Sequence, residues 1–430
     1  MVNNGYTKYK NSCKKFKQLI KSFIIICSLC SSTISLAQQT QDTVPVCKIK
    51  DFPDLFRKKD SVHLAKPPKS NFLILIPLIA SQPATGFLYG AIGQYTFKPK
   101  QEGARYSSAT ISGSYTTKHQ LLINAKNNLV LNENKLYFAG DWRFYIFSQD
   151  NYGLGSDIIP PPYRDHDFDL ESLAEPMTYK YFKFHQTLSY GFFNDFYIGG
   201  GIHLDGYSDI NDSYLDIAKG QYTAHYLYSQ KHGYNDTKYY VDGLSFNLVY
   251  DSRDNQVNAN HGWYGNINYR VNPSFMNNQA TSTVLYTEYN YYLPLSKRNL
   301  QHVLAFWAYG QFLISGDLPY LNLPSIGWDP SSRGGKGYTQ GLFRGQNIAY
   351  FESEYRFPIT CNQLISGTVF ANFTSTSDKD RDIRIFQYIQ PSCGVGLRIL
   401  IDKASRTNFV FNYAWGRHSK AFYLNAGETF

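Results

Sequence analysis

From residue 72 onward the chain alternates apolar and polar side chains with a period of two, in segments of about ten residues. The clearest segment is 407–416. Phe409, Phe411, Tyr413 and Trp415 fall on one face, and Asn408, Val410, Asn412, Ala414 and Gly416 fall on the other. A β-strand sends successive side chains to opposite faces, so this pattern predicts a strand with one aromatic face and one small or polar face. Segment 347–357 repeats it: Ala349, Phe351, Tyr355 and Phe357 oppose Glu352, Glu354 and Arg356. In 282–293, Leu285, Tyr289, Tyr291 and Leu293 oppose Glu288 and Asn290. Read through to the end, the pattern predicts strands at 72–80, 85–97, 104–116, 119–131, 136–148, 177–190, 195–207, 239–251, 262–273, 282–294, 301–315, 346–357, 364–373, 388–401, 406–416 and 420–430. Pro77 interrupts the first, and proline in a sheet belongs at an edge or seam.

The connections between these sixteen segments give an internal test by their lengths. The long ones, 149–176, 208–238, 316–345 and 374–387, all fall on odd-numbered links. The even-numbered links, such as 132–135, 191–194, 295–300, 358–363 and 402–405, stay short. Outer-membrane barrels have short periplasmic turns and longer external loops. The prediction is therefore all-β: a sixteen-stranded antiparallel transmembrane barrel. A water-soluble sandwich also alternates, but its apolar face is built from branched aliphatics. Here Tyr (37) and Phe (30) together outnumber the 33 acids, while mean hydropathy stays negative at −0.38. Lipid-facing and lumen-facing positions cancel in such an average.

The N-terminus reads differently. Lys14 to Lys21 precede the apolar run Phe23 to Cys30, and Ser35-Leu36-Ala37 follows. That is the pattern of an export signal, with cleavage expected after Ala37. The predicted organisation is a signal at 1–37, a short periplasmic segment at 38–71, and the barrel at 72–430. The segment 38–71 holds Phe52, Leu55, Phe56 and the basic cluster Arg57-Lys58-Lys59, too little apolar material for a domain. Removing residues 1–37, with six lysines and no acid, lowers the formal charge from +9 to +3, so nothing argues for a nucleic-acid partner. The mature chain keeps Cys47, Cys361 and Cys393, an odd number at scattered spacing that suggests neither a disulfide framework nor a metal site.

Three stretches stand out from the alternation. Asp251-Ser252-Arg253-Asp254-Asn255 is followed by His261-Gly262-Trp263-Tyr264, which by itself reads as turn chemistry. The third long loop holds Gly334-Gly335-Lys336-Gly337-Tyr338, with more glycine following. The strand after it carries Glu352-Ser353-Glu354-Tyr355-Arg356-Phe357-Pro358. Together these resemble the BamA/TamA family of outer-membrane barrels, the bacterial surface-antigen superfamily. The resemblance covers 72–430 and is strongest from 251 to 357.

The resemblance implies that Asp251, Arg253, Asp254 and Gly262 form the family's turn before the ninth strand. It implies that Lys336, Gly337 and Tyr338 form a lumenal latch, with Lys336 where the family has Arg. That Arg pairs with acids on the next two strands. Glu354 matches the first; the second falls on Asn372, within Phe370-Ala371-Asn372-Phe373-Thr374. Arg presents a bidentate fork and Lys a point charge, so the latch is expected to be weaker. Read alone, Lys336 is equally a solvated loop lysine. The final Phe430, placed inside the last strand, resembles the assembly signal of such barrels. The family's periplasmic POTRA domains have no counterpart in 38–71.

No G-x-S-x-G, H-E-x-x-H or G-x-x-x-x-G-K motif occurs, and the histidines are scattered, so no enzyme, cofactor or metal is expected. The expected function is insertion or translocation of outer-membrane components through a weak seam between the first and last strands. The alternatives are a passive pore, a membrane scaffold, or a surface-interaction barrel using loops 149–176 and 208–238. Expected partners are outer-membrane lipid, the barrel assembly machinery during its own insertion, and a periplasmic protein.

Overall fold

A strand with one apolar face is stable only when that face meets lipid or a core, and its backbone groups must all be paired. A closed barrel meets both demands. The computed structural model describes residues 47–56, 71–97, 107–157, 170–193, 195–296, 299, 301–403, 405–428 and 430. The expected signal, its cleavage site and the Arg57-Lys58-Lys59 cluster lie outside the described residues. The barrel lies within the compact unit 48–430.

Sixteen antiparallel strands close on themselves in sequence order. They are β1 (Asn71–Gln82), β2 (Gly86–Phe97), β3 (Ser107–Thr116), β4 (Leu121–Leu131), β5 (Leu136–Asn151), β6 (Glu175–Phe193), β7 (Phe196–Asp212) and β8 (Tyr239–Asp251) in the first half. The second half is β9 (Gly262–Asn272), β10 (Ser282–Pro294), β11 (Val303–Ser315), β12 (Asn347–Pro358), β13 (Ile365–Thr376), β14 (Gln390–Asp402), β15 (Thr407–Gly416) and β16 (Ser419–Ala426). Every predicted strand is present, in order. The four longest links, β5–β6, β7–β8, β11–β12 and β13–β14, all lie at one end of the barrel, as expected. One helix, α1 (Ala224–His232), stands in the loop after β7.

The faces follow the alternation. On β12, Glu352, Glu354 and Arg356 are buried in the lumen, while Phe351 and Tyr355 face outward. On β15, Tyr413 and Trp415 are exposed outward and Asn408, Val410, Asn412 and Ala414 are buried. The outer wall is a belt of exposed apolar side chains, among them Leu75, Phe182, Phe246, Val395 and Phe422. Such a continuous patch marks a lipid-facing surface.

Two features depart from the expected pattern. The lumen near the long loops is aromatic rather than small and polar. Tyr145, Tyr179, Tyr181, Tyr207 and Tyr239 are buried there around Trp328 of the β11–β12 loop. The rings of Tyr181 and Tyr207 stack at 4.5 Å. A loop that fills a lumen removes its water and creates a second core, so large rings are stabilised there. Buried hydroxyls among them find partners: Tyr181 donates to Asp205 at 3.0 Å and Tyr179 to Gln149 at 2.9 Å. The second departure is chemical. Cys47 and Cys361 are each disulfide-bonded, and Cys393 is free and exposed.

The long-loop end is roofed. Gly155 donates its amide to Arg344 O at 2.7 Å, and the Tyr228 hydroxyl of α1 donates to Leu318 O at 3.0 Å. His232 and Lys231 of α1 reach Asp380 in the β13–β14 loop, at 3.0 and 2.9 Å. The Arg344 guanidinium gathers the carbonyls of Tyr320, Leu321 and Leu323. The loops expected to offer a contact surface thus spend many polar groups on one another.

Candidate lumenal latch and seam

The β11–β12 loop turns inward because its glycines permit a close approach. At Gly337, φ is +99°, and a Cβ there would lie 2.7 Å from Ser392 Cβ on the wall. The Gly337 amide donates to the Tyr423 hydroxyl of β16 at 3.0 Å, and that hydroxyl donates to Tyr338 O at 3.1 Å. Tyr338 donates to Pro391 O at 2.6 Å and accepts from the Arg417 amide at 3.0 Å. Lys336, Gly337 and Tyr338 are therefore brought against the wall together, as the latch requires.

Lys336 is buried, and its Nζ lies 2.6 Å from Glu352 Oε1 but 4.0 Å from Glu354 Oε2. Its first partner is thus Glu352, not Glu354. The ammonium also stands 4.2 Å from the centre of the Phe370 ring. Asn372 takes part in a way that a lost acid does not suggest. Its side-chain amide donates to Lys336 O at 3.1 Å, and Ser392 Oγ bridges Asn372 Oδ1 and the same carbonyl. An Asn is a donor where an Asp is only an acceptor. The substitution therefore grips the loop backbone rather than its charge.

Glu354 is occupied elsewhere. Arg398 of β14 reaches it at 2.5 Å, Arg356 at 3.3 Å, and Thr368 donates to it at 2.9 Å. Arg398 also meets Glu428 at 3.3 Å, and Asn408 donates to Glu428 at 2.7 Å. Buried carboxylates persist only when paired and hydrogen-bonded. Here Glu352, Glu354 and Glu428 share Lys336, Arg356 and Arg398.

The β8–β9 turn combines local capping with a reach across the short-turn end. Asp254 accepts from the amides of Asn260 and His261, at 2.9 and 3.2 Å, and pairs with Arg406 at 2.5 Å. Gly262 has φ +109°, and a Cβ there would lie 2.4 Å from the Ser252 carbonyl oxygen. Asp251 holds Arg253 by two bonds, 2.8 and 3.0 Å, and the guanidinium lies over Tyr264. Asn255 and Asn258 donate to the carbonyls of Ser405 and Arg406 in the β14–β15 turn. All four expected motif residues therefore act in the turn, and the turn braces the opposite wall.

The Omp85 superfamily domain matches residues 114–430. The chain belongs to the Omp85 superfamily. Among solved structures, this Omp85 barrel is similar to BamA from Haemophilus ducreyi lacking POTRA domains 1-3. The TM-score is 0.54 and the identity 14%, over 83% of this chain and 70% of that one. It is also similar to CdiB from Escherichia coli. There the TM-score is 0.50 and the identity 11%, over 84% of this chain and 63% of that one. The chain thus spans less than two thirds of the CdiB length, and at these identities the likeness is one of fold. No curated protein matches the chain. Among the described residues no POTRA domain precedes the Omp85 barrel. Omp85 barrels of the BamA and CdiB type are outer-membrane proteins.

The Omp85 barrel closes unevenly. β1 pairs with β2 without a break, from Asn71 opposite Phe97 to Gln82 opposite Gly86. Against β16 it has one register pair, Ser81 opposite Leu424. A side-chain bond, Gln82 to Asn425 at 3.4 Å, adds to it. The reason is that β16 stops at Ala426, short of the expected 430. Beyond it the chain turns into the lumen. Arg333 of the inward loop donates to the carbonyls of Ala426, Gly427 and Glu428. The Phe430 ring stacks on Trp307 of β11 at 5.3 Å, and Arg356 donates to Phe430 O at 3.0 Å. Phe430 is therefore not part of the last strand. The tail also bounds a polar lumenal chamber of about 480 Å³, beside Lys183, Asp205, Arg270 and Glu288.

Sequence reasoning missed Glu352 as the first partner of Lys336. It also missed Arg333, Arg398 and the inward tail. A signal existed for Arg398: an Arg on a lumenal face requires an acid nearby, and Glu354 is two strands away. Nothing in the alternation distinguishes Arg333 from a solvated loop arginine.

Proposed function

We propose that this Omp85 barrel assists insertion or translocation of outer-membrane components, with the β1–β16 seam as its working element. The observation that carries this reading is the single register pair at the seam, beside ladders of at least eight pairs at every other strand junction. An unpaired strand edge is a template for another strand. Pro77 lies on that strand and subtracts one backbone donor from it. The roofed long-loop end and the tail beside the chamber favour a lateral route over a straight pore.

The test uses the refolded chain in liposomes, following the folding of an unfolded outer-membrane barrel. Acceleration over empty liposomes and over an unrelated barrel is expected. In a Cys393→Ala background, a disulfide between Ser81→Cys and Leu424→Cys should abolish that acceleration, with the Cys393→Ala parent as control. No acceleration by the unmodified chain, with or without an added periplasmic fraction, would leave a scaffold in the outer membrane as the reading.

A further inference from the structure

Residues 48–56 at the short-turn end form a fixed knob whose chemistry the latch and seam do not use. Lys50 donates its amide to Asn362 O at 3.0 Å, in the β12–β13 turn. Phe52–Leu55 form one 3-10 turn, closed by a capping box between Asp51 and Asp54. Asp51 accepts from the Lys403 amide at 3.4 Å, and Asp54 pairs with the Lys403 ammonium at 2.6 Å, in the β14–β15 turn. Both acids are thus spent on the cap and on one lysine. What the segment presents outward is apolar and basic. Ile49, Phe52, Leu55 and Phe56 are 43%, 47%, 53% and 76% exposed, and Lys48 and Lys50 are exposed beside them. In the sequence Arg57-Lys58-Lys59 follows at once.

Four exposed apolar side chains held in place by three contacts to the barrel turns need a partner. Its chemistry is set by charge and position. Cations flank the apolar residues on both sides in the sequence, and both acids are turned to Lys403 of the barrel, so the partner is apolar with an anionic boundary. The knob hangs from turns whose strands carry Val369, Val395 and Leu397 on the lipid face, so it continues an existing lipid surface. Amphipathic segments with rings on one side and Lys or Arg beside them lie in the headgroup region of a bilayer. We propose that Ile49, Phe52, Leu55 and Phe56 insert into the leaflet at the short-turn end, and that Lys48 and Lys50 meet anionic phospholipid headgroups there. This does not depend on the insertion function.

The test places a photoreactive benzophenone amino acid at Phe56 in the full chain, refolded into liposomes of phosphatidylcholine with a minority of phosphatidylglycerol. Val395 on the lipid face is the positive control. Glu133, an exposed residue in the β4–β5 turn at the same end, is the negative control. On illumination, a phospholipid adduct at Phe56 comparable with Val395 and several-fold above Glu133 is expected. Omitting phosphatidylglycerol should lower the Phe56 adduct several-fold and leave Val395 unchanged. A Phe56 adduct no higher than at Glu133, while Val395 reacts, overturns the proposal. So does an adduct at Phe56 to a protein in place of lipid in intact cells. An adduct indifferent to phosphatidylglycerol overturns the anionic half.

Discussion

The Glu428 carboxylate meets the Arg398 guanidinium at 3.3 Å inside the barrel, although the strand that leads to it points the other way. On β16, Phe422 faces lipid, and alternation puts Leu424, Ala426 and then Glu428 on that face. Continuing the register from Ser81 opposite Leu424 would set Glu428 opposite Pro77, in or near hydrocarbon. A charged side chain on the lipid face is destabilising, least near the interface. Arg398, Asn408 and Arg333 offer a better place, and the strand ends at Ala426. Replacing Glu428 with Leu should therefore release the tail and let β16 extend along β1. Amides within residues 75–79, which 430–426 would then face, should exchange hydrogen more slowly than in the parent. Equal exchange in both proteins would mean that something other than Glu428 turns the tail inward.

Lys336 and Glu352 form a buried pair, and breaking such a pair on one side typically costs about 3–5 kcal/mol. Lys336→Met should lower stability on that scale, because Glu352 is left charged and unpaired in the lumen. Glu352→Gln should lower it too, and the double variant should recover part of the loss. Denaturant midpoints of the refolded barrel give the four corners of the cycle. Additive losses would show that Lys336 is held by its backbone contacts to Asn372 and Ser392 alone.

The wall was legible in the sequence because strand periodicity is local: every outward ring on β12 and β15 could be placed from its neighbours. The latch was legible only to the nearest face. Glu352 and Glu354 sit two residues apart on one side of one strand, and alternation cannot rank them. The rank depends on Arg398, which comes from two strands away and takes Glu354 for itself. The end of β16 failed for a related reason. The pattern Phe422, Leu424, Ala426 is interrupted only by Glu428 before Phe430, and the stop is set by lumenal arginines on other elements. The aromatic lumen was missed because its cause is a loop that fills it.

The β8–β9 turn should respond to acid. Partial burial works against the Asp254 carboxylate, but the bond from Arg406 and the amides of Asn260 and His261 outweigh it and hold its pKa below the usual carboxylate value. A carboxylate depressed in the folded state contributes stability that is full above its unfolded pKa, about 4. That stability is lost as pH falls through the lower folded value. The turn should therefore open to proteolysis progressively below about pH 4, and Asp254→Asn should be opened already at neutral pH and change less on acidification. Wild-type and variant profiles that run parallel would assign the acid response to another group.

Arg333 connects the inward loop to the tail by three carbonyl bonds, and the tail bounds the chamber. A guanidinium has no intrinsic need for three backbone oxygens; the tail has no other described donor at those positions as strong. Arg333→Ala removes all three contacts while leaving Lys336 and Glu352 in place. The expected result in planar bilayers is a higher and more fluctuating conductance than the parent shows, because the described tail residues then keep just the Gly427 amide on Asn408 O and the contacts of Glu428 and Phe430. Adding Glu428→Leu to Arg333→Ala should suppress those fluctuations, since a tail without its charge can join the seam. If Arg333→Ala conducts as the parent does, the tail is fixed by Arg398 and Trp307, and the loop and the tail act independently.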